Sequence, residues 1–135
     1  MWYYENKLYD EAPKDYMGFV YLITDLATNK KYVGKKLFWN KRKLKPLKGK
    51  TRRRIQVVES DWKNYYGSNG ELQLIVETSD AERFEREILH LCTKKGIMSY
   101  LEAREQFDRN VLLSDEYYNN FIGCKIHGKH VLGLR

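Results

Sequence analysis

The apolar positions of this chain fall into short runs divided by charge, and the first strong one is Gly18-Phe19-Val20-Tyr21-Leu22-Ile23-Thr24. A polar break from Asp25 to Lys30 contains Thr28 and Asn29, and Tyr32-Val33-Gly34 then opens a second run that ends in Lys35 and Lys36. Two strand-like runs joined by a short break with turn chemistry predict an antiparallel hairpin. Its tyrosines, Tyr21 and Tyr32, stand eleven positions apart and are expected to converge on one face.

Beyond the hairpin the pattern predicts a mixture of elements. Leu37 to Leu44 reads as a short helix with Phe38 inward and Arg42 one turn later on the same side. Ile55 to Val58 is a brief β-branched run, and Glu59 to Asn69 is a polar, aromatic connection with turn residues at Gly67 and Gly70. A second helix is expected from Asn69 to Glu77, where Leu72, Ile75 and Val76 share a stripe. Phe84 to Cys92 reads two ways. Ser79 with Glu82 resembles a capping box and favours a helix, whereas the apolar alternation at its end suits a strand. A third helix capped by Thr93 or Ser99 is expected to run to Asp108, and Val111 to Arg135 holds only short apolar runs at Ile122 and Val131.

Composition narrows the class. With 135 residues, 42% of them hydrophobic, the chain has material for one domain with one modest core. Eleven tyrosines and three tryptophans suit either an aromatic core or a surface that stacks on bases. The net charge is +7, and nine basic residues lie between Lys41 and Arg54 without one acid, so the rest of the chain is slightly negative. A run so concentrated repels itself unless it is left solvated as a loop or a polyanion lies against it, and phosphate is the natural neutraliser. No apolar run is long enough to span a membrane and no leader is visible, which predicts a soluble, cytoplasmic protein. Cys92 and Cys124 are too few for a disulfide framework and lack metal-ligand spacing; Cys92 reads as a small buried hydrophobe. His127 and His130 have no further ligand candidates nearby and read as surface or DNA-facing residues.

These residues resemble the GIY-YIG nuclease superfamily. Phe19-Val20-Tyr21 and Tyr32-Val33-Gly34 stand in the places of the two name-giving triplets, and Arg42, eight positions after Gly34, stands where phage homing enzymes of the family carry an arginine on their first helix. Ser68-Asn69-Gly70-Glu71-Leu72-Gln73 and Phe84-Glu85-Arg86-Glu87-Ile88-Leu89 are similar to the second helix and third strand of those enzymes, which favours the strand for Phe84 to Cys92. Tyr100-Leu101-Glu102-Ala103-Arg104-Glu105-Gln106-Phe107 matches a Tyr-x-Glu-x-x-x-Gln-Phe helix of small stand-alone phage endonucleases. The resemblance covers Gly18 to Asn119. It implies an α/β (α+β) fold with a small antiparallel three-stranded sheet flanked by helices. It also implies a division into an N-terminal aromatic arm (1–17), a nuclease domain (18–120) and a tail (121–135) placed to contact DNA.

It further implies a Mg²⁺- or Mn²⁺-dependent endonuclease of double-stranded DNA, encoded by a phage or mobile element, homing in type, and monomeric or homodimeric. Hydrolysing a phosphodiester needs an activated water, cations on the phosphoryl oxygens and a carboxylate to hold a divalent ion. Tyr21 and Tyr32 are expected to be catalytic, one of them a base with its phenol pKa lowered by nearby Lys and Arg, and Arg42 to grip the scissile phosphate. Glu102 is expected to be catalytic and to hold the metal; Glu105 competes, and Glu102 also reads as a capping-box partner of Ser99. Lys41, Lys43, Lys45, Arg52, Arg53 and Arg54 are expected on the phosphate backbone, and Asn119 to support the site. Pro46 stands where many homing members carry a histidine, and Lys36, Tyr65 and Lys63 are its substitutes. Gly34 is assigned to close packing or to backbone approach to the ligand, with no chemical contribution. The alternative is a silent nucleic-acid-binding protein that retains the fold.

Overall fold

The computed structural model describes all 135 residues. In chain order the elements are β1 (Trp2–Tyr4), β2 (Lys7–Tyr9), β3 (Gly18–Asp25), β4 (Lys30–Leu37), β5 (Trp39–Leu44), β6 (Arg54–Glu59), α1 (Gly70–Glu77), β7 (Phe84–Cys92) and α2 (Lys95–Asp108). Single 3₁₀ turns lie at Trp62–Asn64 and Ala81–Arg83, and a longer one at Gly128–Leu134.

The expected hairpin forms as β3 and β4, paired from Gly18 opposite Leu37 to Asp25 opposite Lys30. Two residues close its turn. Asn29 adopts a left-handed φ of 63°, and the Asp25 carboxylate accepts the Ala27 N–H at 3.0 Å. Asp25 is itself buried, takes two hydrogen bonds from Arg83 at 2.7 and 2.8 Å, and accepts the Tyr118 hydroxyl at 3.0 Å. One carboxylate thus fastens the turn to the start of β7 and to the segment after α2.

The sheet is larger than the three antiparallel strands expected. Five strands stand in the order β2-β1-β7-β3-β4, and β1 runs parallel to β7. The extra strands come from the N-terminal arm, because Trp2 is a core residue: it is buried, and its indole N–H donates to the Trp62 carbonyl at 2.7 Å. The α+β class holds.

Alternation along β3 sends Phe19, Tyr21 and Ile23 to one face and Val20 and Leu22 to the other. The first face carries an aromatic core with Trp2, Phe38, Trp62, Leu72 and Phe84, partly covered by α1. The second carries an aliphatic core with Val33, Cys92, Ile97, Met98 and Val111 beneath α2. Cys92 is buried as expected, and burial pushes its thiol up to about 11.

Three local expectations are corrected. Leu37 to Leu44 is no helix: Leu37 ends β4, Phe38 is buried at a bend, and β5 pairs with β6 as a separate two-stranded ribbon. The β-branched Ile55, Val57 and Val58 supply the partner strand, and strand alternation separates Lys41, Arg42 and Lys43 better than one helical turn would. Neither Thr93 nor Ser99 caps α2, whose N-cap is Lys94, so Ser99 lies within the helix and forms no capping box with Glu102. Ser79 and Glu82 likewise form no box; Phe84 to Cys92 is a strand, and α1 is capped by Asn69, which accepts the Leu72 N–H at 3.0 Å.

Candidate active site

β4 is an edge strand, and a cleft of about 270 Å³ wraps around that edge. Tyr21 and Tyr32 enter it from the aromatic face, and Lys35, Glu102 and Gln106 from the α2 side, with Ser68, Asn119 and Asn120 along its rim.

Gly34 is where the two sides meet. A β-carbon there would overlap the Tyr21 hydroxyl, so the absent side chain makes the passage through which Tyr21 reaches the edge. Gly67, at φ 90°, plays a similar part for Tyr32, whose ring lies 3.1 Å from where a β-carbon would sit. The two phenol rings are 6.2 Å apart between centroids and share one face, as the hairpin register requires. The Tyr32 hydroxyl shares a hydrogen bond with the Ser68 hydroxyl at 3.1 Å.

The electrostatics of the phenols run opposite to expectation. Burial pushes the Tyr21 phenol well above its ordinary value, helped by Tyr65 and Tyr32; burial also raises Tyr32, partly offset by the hydrogen bond with Ser68. Both are therefore held in the neutral form at neutral pH, in which a phenol can donate and accept a hydrogen bond.

The two candidate glutamates separate cleanly. Glu102 has a side chain 13% exposed, makes no hydrogen bond, and has one ionic neighbour, the Lys35 ammonium at 3.8 Å. Burial raises its carboxyl above the ordinary range, with Lys35 opposing. Glu105, three positions on and facing elsewhere, is held between His90 at 2.8 Å and Arg109 at 2.9 Å, which keep its carboxyl low. Only Glu102 has oxygens free for a ligand. No group of three metal-ligating side chains exists in the chain, so a divalent cation here would rest on one carboxylate, water and substrate oxygen, a donor set that suits Mg²⁺.

Asn119 is brought to the cleft, and its amide is bonded at both ends to the Val33 backbone. Its Oδ1 accepts the Val33 N–H at 3.0 Å and its Nδ2 donates to the Val33 carbonyl at 2.8 Å. The same segment bonds to Lys31 through Glu116 and Tyr118, so the amide of Asn119 continues a short ladder along the outer edge of β4. Those two bonds fasten Asn119 to that edge.

Other expected residues lie elsewhere. Arg42 is not in the cleft; it is exposed on β5 opposite Gln56, which corrects both its helical placement and its place beside the phenols. Lys36 is tied to Asp61 at 2.6 Å and lies 4.1 Å over the Tyr65 ring, which in turn packs edge-on against Tyr21. Tyr65 therefore backs the site without lining the cleft, and Lys63 is exposed near Trp62. Lys41, Lys43, Lys45, Arg52, Arg53 and Arg54 are all exposed on the ribbon and its loop.

Two residues of the cleft are given no role by the sequence motifs. Lys35, one position from Lys36, projects to the α2 side, where its ammonium donates to the Ser99 hydroxyl at 2.9 Å. Gln106 donates to the Val33 carbonyl at 3.0 Å and leaves its own buried carbonyl oxygen without a partner. Its spacing four residues after Glu102, on the same helical face, was the available signal. For Lys35, strand alternation pointed to the wrong face, and only the edge position of β4 brings it to the phenols.

Among known families, the one described as "Putative endonuclease segE, GIY-YIG domain" matches residues 2–122. Neither the curated proteins nor the solved structures gave a match. No helix is long and apolar enough to cross a membrane.

Proposed function

The chain belongs to the GIY-YIG nuclease superfamily, and from that membership and the cleft we propose that it is a Mg²⁺-dependent endonuclease (Mn²⁺ serving equally) that hydrolyses phosphodiester bonds of double-stranded DNA. The observation that carries this reading is the convergence of Tyr21, Tyr32, Lys35 and Glu102 around Gly34 at the edge of the sheet.

Each residue has a physical part. The Lys35 ammonium faces the cleft and offsets the charge that develops on the phosphoryl oxygens. The neutral phenols of Tyr21 and Tyr32 donate hydrogen bonds that orient phosphate and attacking water. Glu102 offers carboxylate oxygens to the cation, and Gln106 and Asn119 hold the Val33 backbone so that Tyr32 and Lys35 on either side keep their geometry. A bound Mg²⁺ supplies a Lewis acid that neutralises phosphoryl charge and acidifies water. The basic ribbon extends the binding surface along the DNA backbone. Service to a phage or mobile element, as a homing-type enzyme, is the biological setting suggested by the resemblance of the Tyr100 to Phe107 helix to small stand-alone phage endonucleases.

The test is cleavage of supercoiled plasmid with Mg²⁺, with EDTA, and with Lys35→Ala and Glu102→Gln proteins. Cutting by wild type alone is the expected result. Cutting that persists in EDTA and in both variants overturns the mechanism, and a wild type that binds DNA without ever cutting it is a retained fold that has lost its chemistry.

A further inference from the structure

Outside the cleft, the most unusual feature is the ribbon formed by β5 and β6. It is paired from Trp39 opposite Glu59 to Leu44 opposite Arg54, yet both of its faces are largely open to solvent. A two-stranded ribbon with nothing packed along it is marginal in water, and this one leaves Ile55 65% and Val57 57% exposed.

Its base is nevertheless fixed to the body. Phe38, at the junction with β4, is fully buried and bonds through its backbone to Met17 and Ser60; the Ser60 hydroxyl donates to the Leu37 carbonyl, and the Trp39 indole donates to the Pro13 carbonyl at 2.9 Å. The ribbon is a projection anchored at one end.

Register sorts its side chains. Residues directly opposite one another share a face, so Lys41, Lys43, Ile55 and Val57 stand together. The base of that face turns toward the body, since Trp39, Lys41 and Val57 line a hollow with Tyr16 and Lys95. The other face carries Val58, Leu44 and Arg54 together with a polar trio, Asn40, Arg42 and Gln56, with Arg42 directly opposite Gln56. All three are exposed, and none of them has an acidic partner. The loop from Lys45 to Arg53 adds Lys45, Lys48, Lys50, Arg52 and Arg53 at the tip.

We propose that this ribbon lies in the major groove of double-stranded DNA, with Asn40, Arg42 and Gln56 reading base edges and the tip lysines and arginines holding the phosphates. The proposal rests on the nuclease reading for its choice of DNA. The major groove, about 12 Å wide, admits a two-stranded ribbon, and charge drives the ribbon toward DNA. Arginine pairs bidentately with guanine O6 and N7, and glutamine and asparagine with adenine N6 and N7. Cross-strand neighbours stand roughly 5 Å apart, close enough for Arg42 and Gln56 to address neighbouring base pairs. Arg42 is then a residue of sequence choice, which accounts for its place outside the cleft lining.

The test is selection of bound duplexes from a random library in EDTA, which separates reading from cutting. Wild type is expected to enrich sites with a guanine next to an adenine. Arg42→Lys keeps the charge and loses the fork, so it is expected to keep overall affinity and lose about tenfold of the guanine preference. Gln56→Ala is expected to lose the adjacent adenine preference. Arg52→Ala with Arg53→Ala is expected to weaken all sequences alike and lower the salt dependence. Absence of enrichment by wild type, or an unchanged sequence profile in Arg42→Lys and Gln56→Ala, overturns the proposal. Enrichment by a wild type that never cuts plasmid overturns the nuclease reading and leaves the ribbon assignment standing.

Discussion

The hydroxyl of Tyr21 occupies the space that a side chain on Gly34 would fill. The two residues are directly opposite in the β3–β4 ladder, so the glycine opens the edge strand and the phenol uses the opening. Gly34→Ala is expected to displace Tyr21 and reduce plasmid cleavage by about a hundredfold, the scale of a misplaced catalytic group. Circular dichroism should show the fold retained. Full activity in Gly34→Ala would show that the Tyr21 hydroxyl is not needed at that point.

The acid side of the pH profile should report Glu102. Its carboxyl is raised above 4.5 by burial, and the ionised form is the one that can ligate a cation. Activity is therefore expected to fall on the acid side as this carboxyl is protonated, and to fall at lower pH as Mg²⁺ is increased, because the cation competes with the proton. Lys35→Met removes the opposing charge, so its acid limb should move to higher pH even though its rate is lower. Glu105→Gln, which alters the His90 and Arg109 contacts, should lower thermal stability and leave the limb in place.

The N-terminal strand is predicted to be part of the folding unit. Trp2 is 2% exposed and bonded to Trp62. Trp2→Ala should cost about 3–5 kcal/mol in urea unfolding, the range for deleting a buried large aromatic side chain. A cost below about 1 kcal/mol would reduce the arm to a surface ornament.

Acid unfolding should begin at Asp25. Its carboxyl is lowered from 3.8 to about 2, chiefly by the hydrogen bonds from Arg83. A depressed folded value contributes stability that is fully present above 3.8 and is lost as pH falls toward 2. Asp25→Asn should be less stable at pH 7, and its stability should change less between about pH 4 and pH 2 than that of wild type, as measured by urea titration at each pH.

The legible part of the molecule was its local chemistry. Alternation in Gly18 to Thr24, turn residues at Thr28 and Asn29, and the stripe of Leu72, Ile75 and Val76 are short-range signals, and each led to the element found. Resemblance in the Tyr-x-Glu-x-x-x-Gln-Phe pattern placed Glu102 on a helix at the cleft. The failures were of another kind. Leu37 to Leu44 read as a helix because its partner, β6, begins ten residues farther on, and pairing over that distance leaves no periodic mark in the run itself.

Local sequence therefore specified the hairpin, the two phenols, the concentrated positive charge and the helix that carries Glu102. Only the assembled sheet fixed the roles of β1 and β2 as its completing strands, left β4 at the edge, and brought residues from opposite faces together there. It also exchanged Lys36 for Lys35 and moved Arg42 from the cleft to the ribbon. A side chain's face is set by the period of its own strand, but whether two faces can share one site depends on where that strand ends up in the sheet.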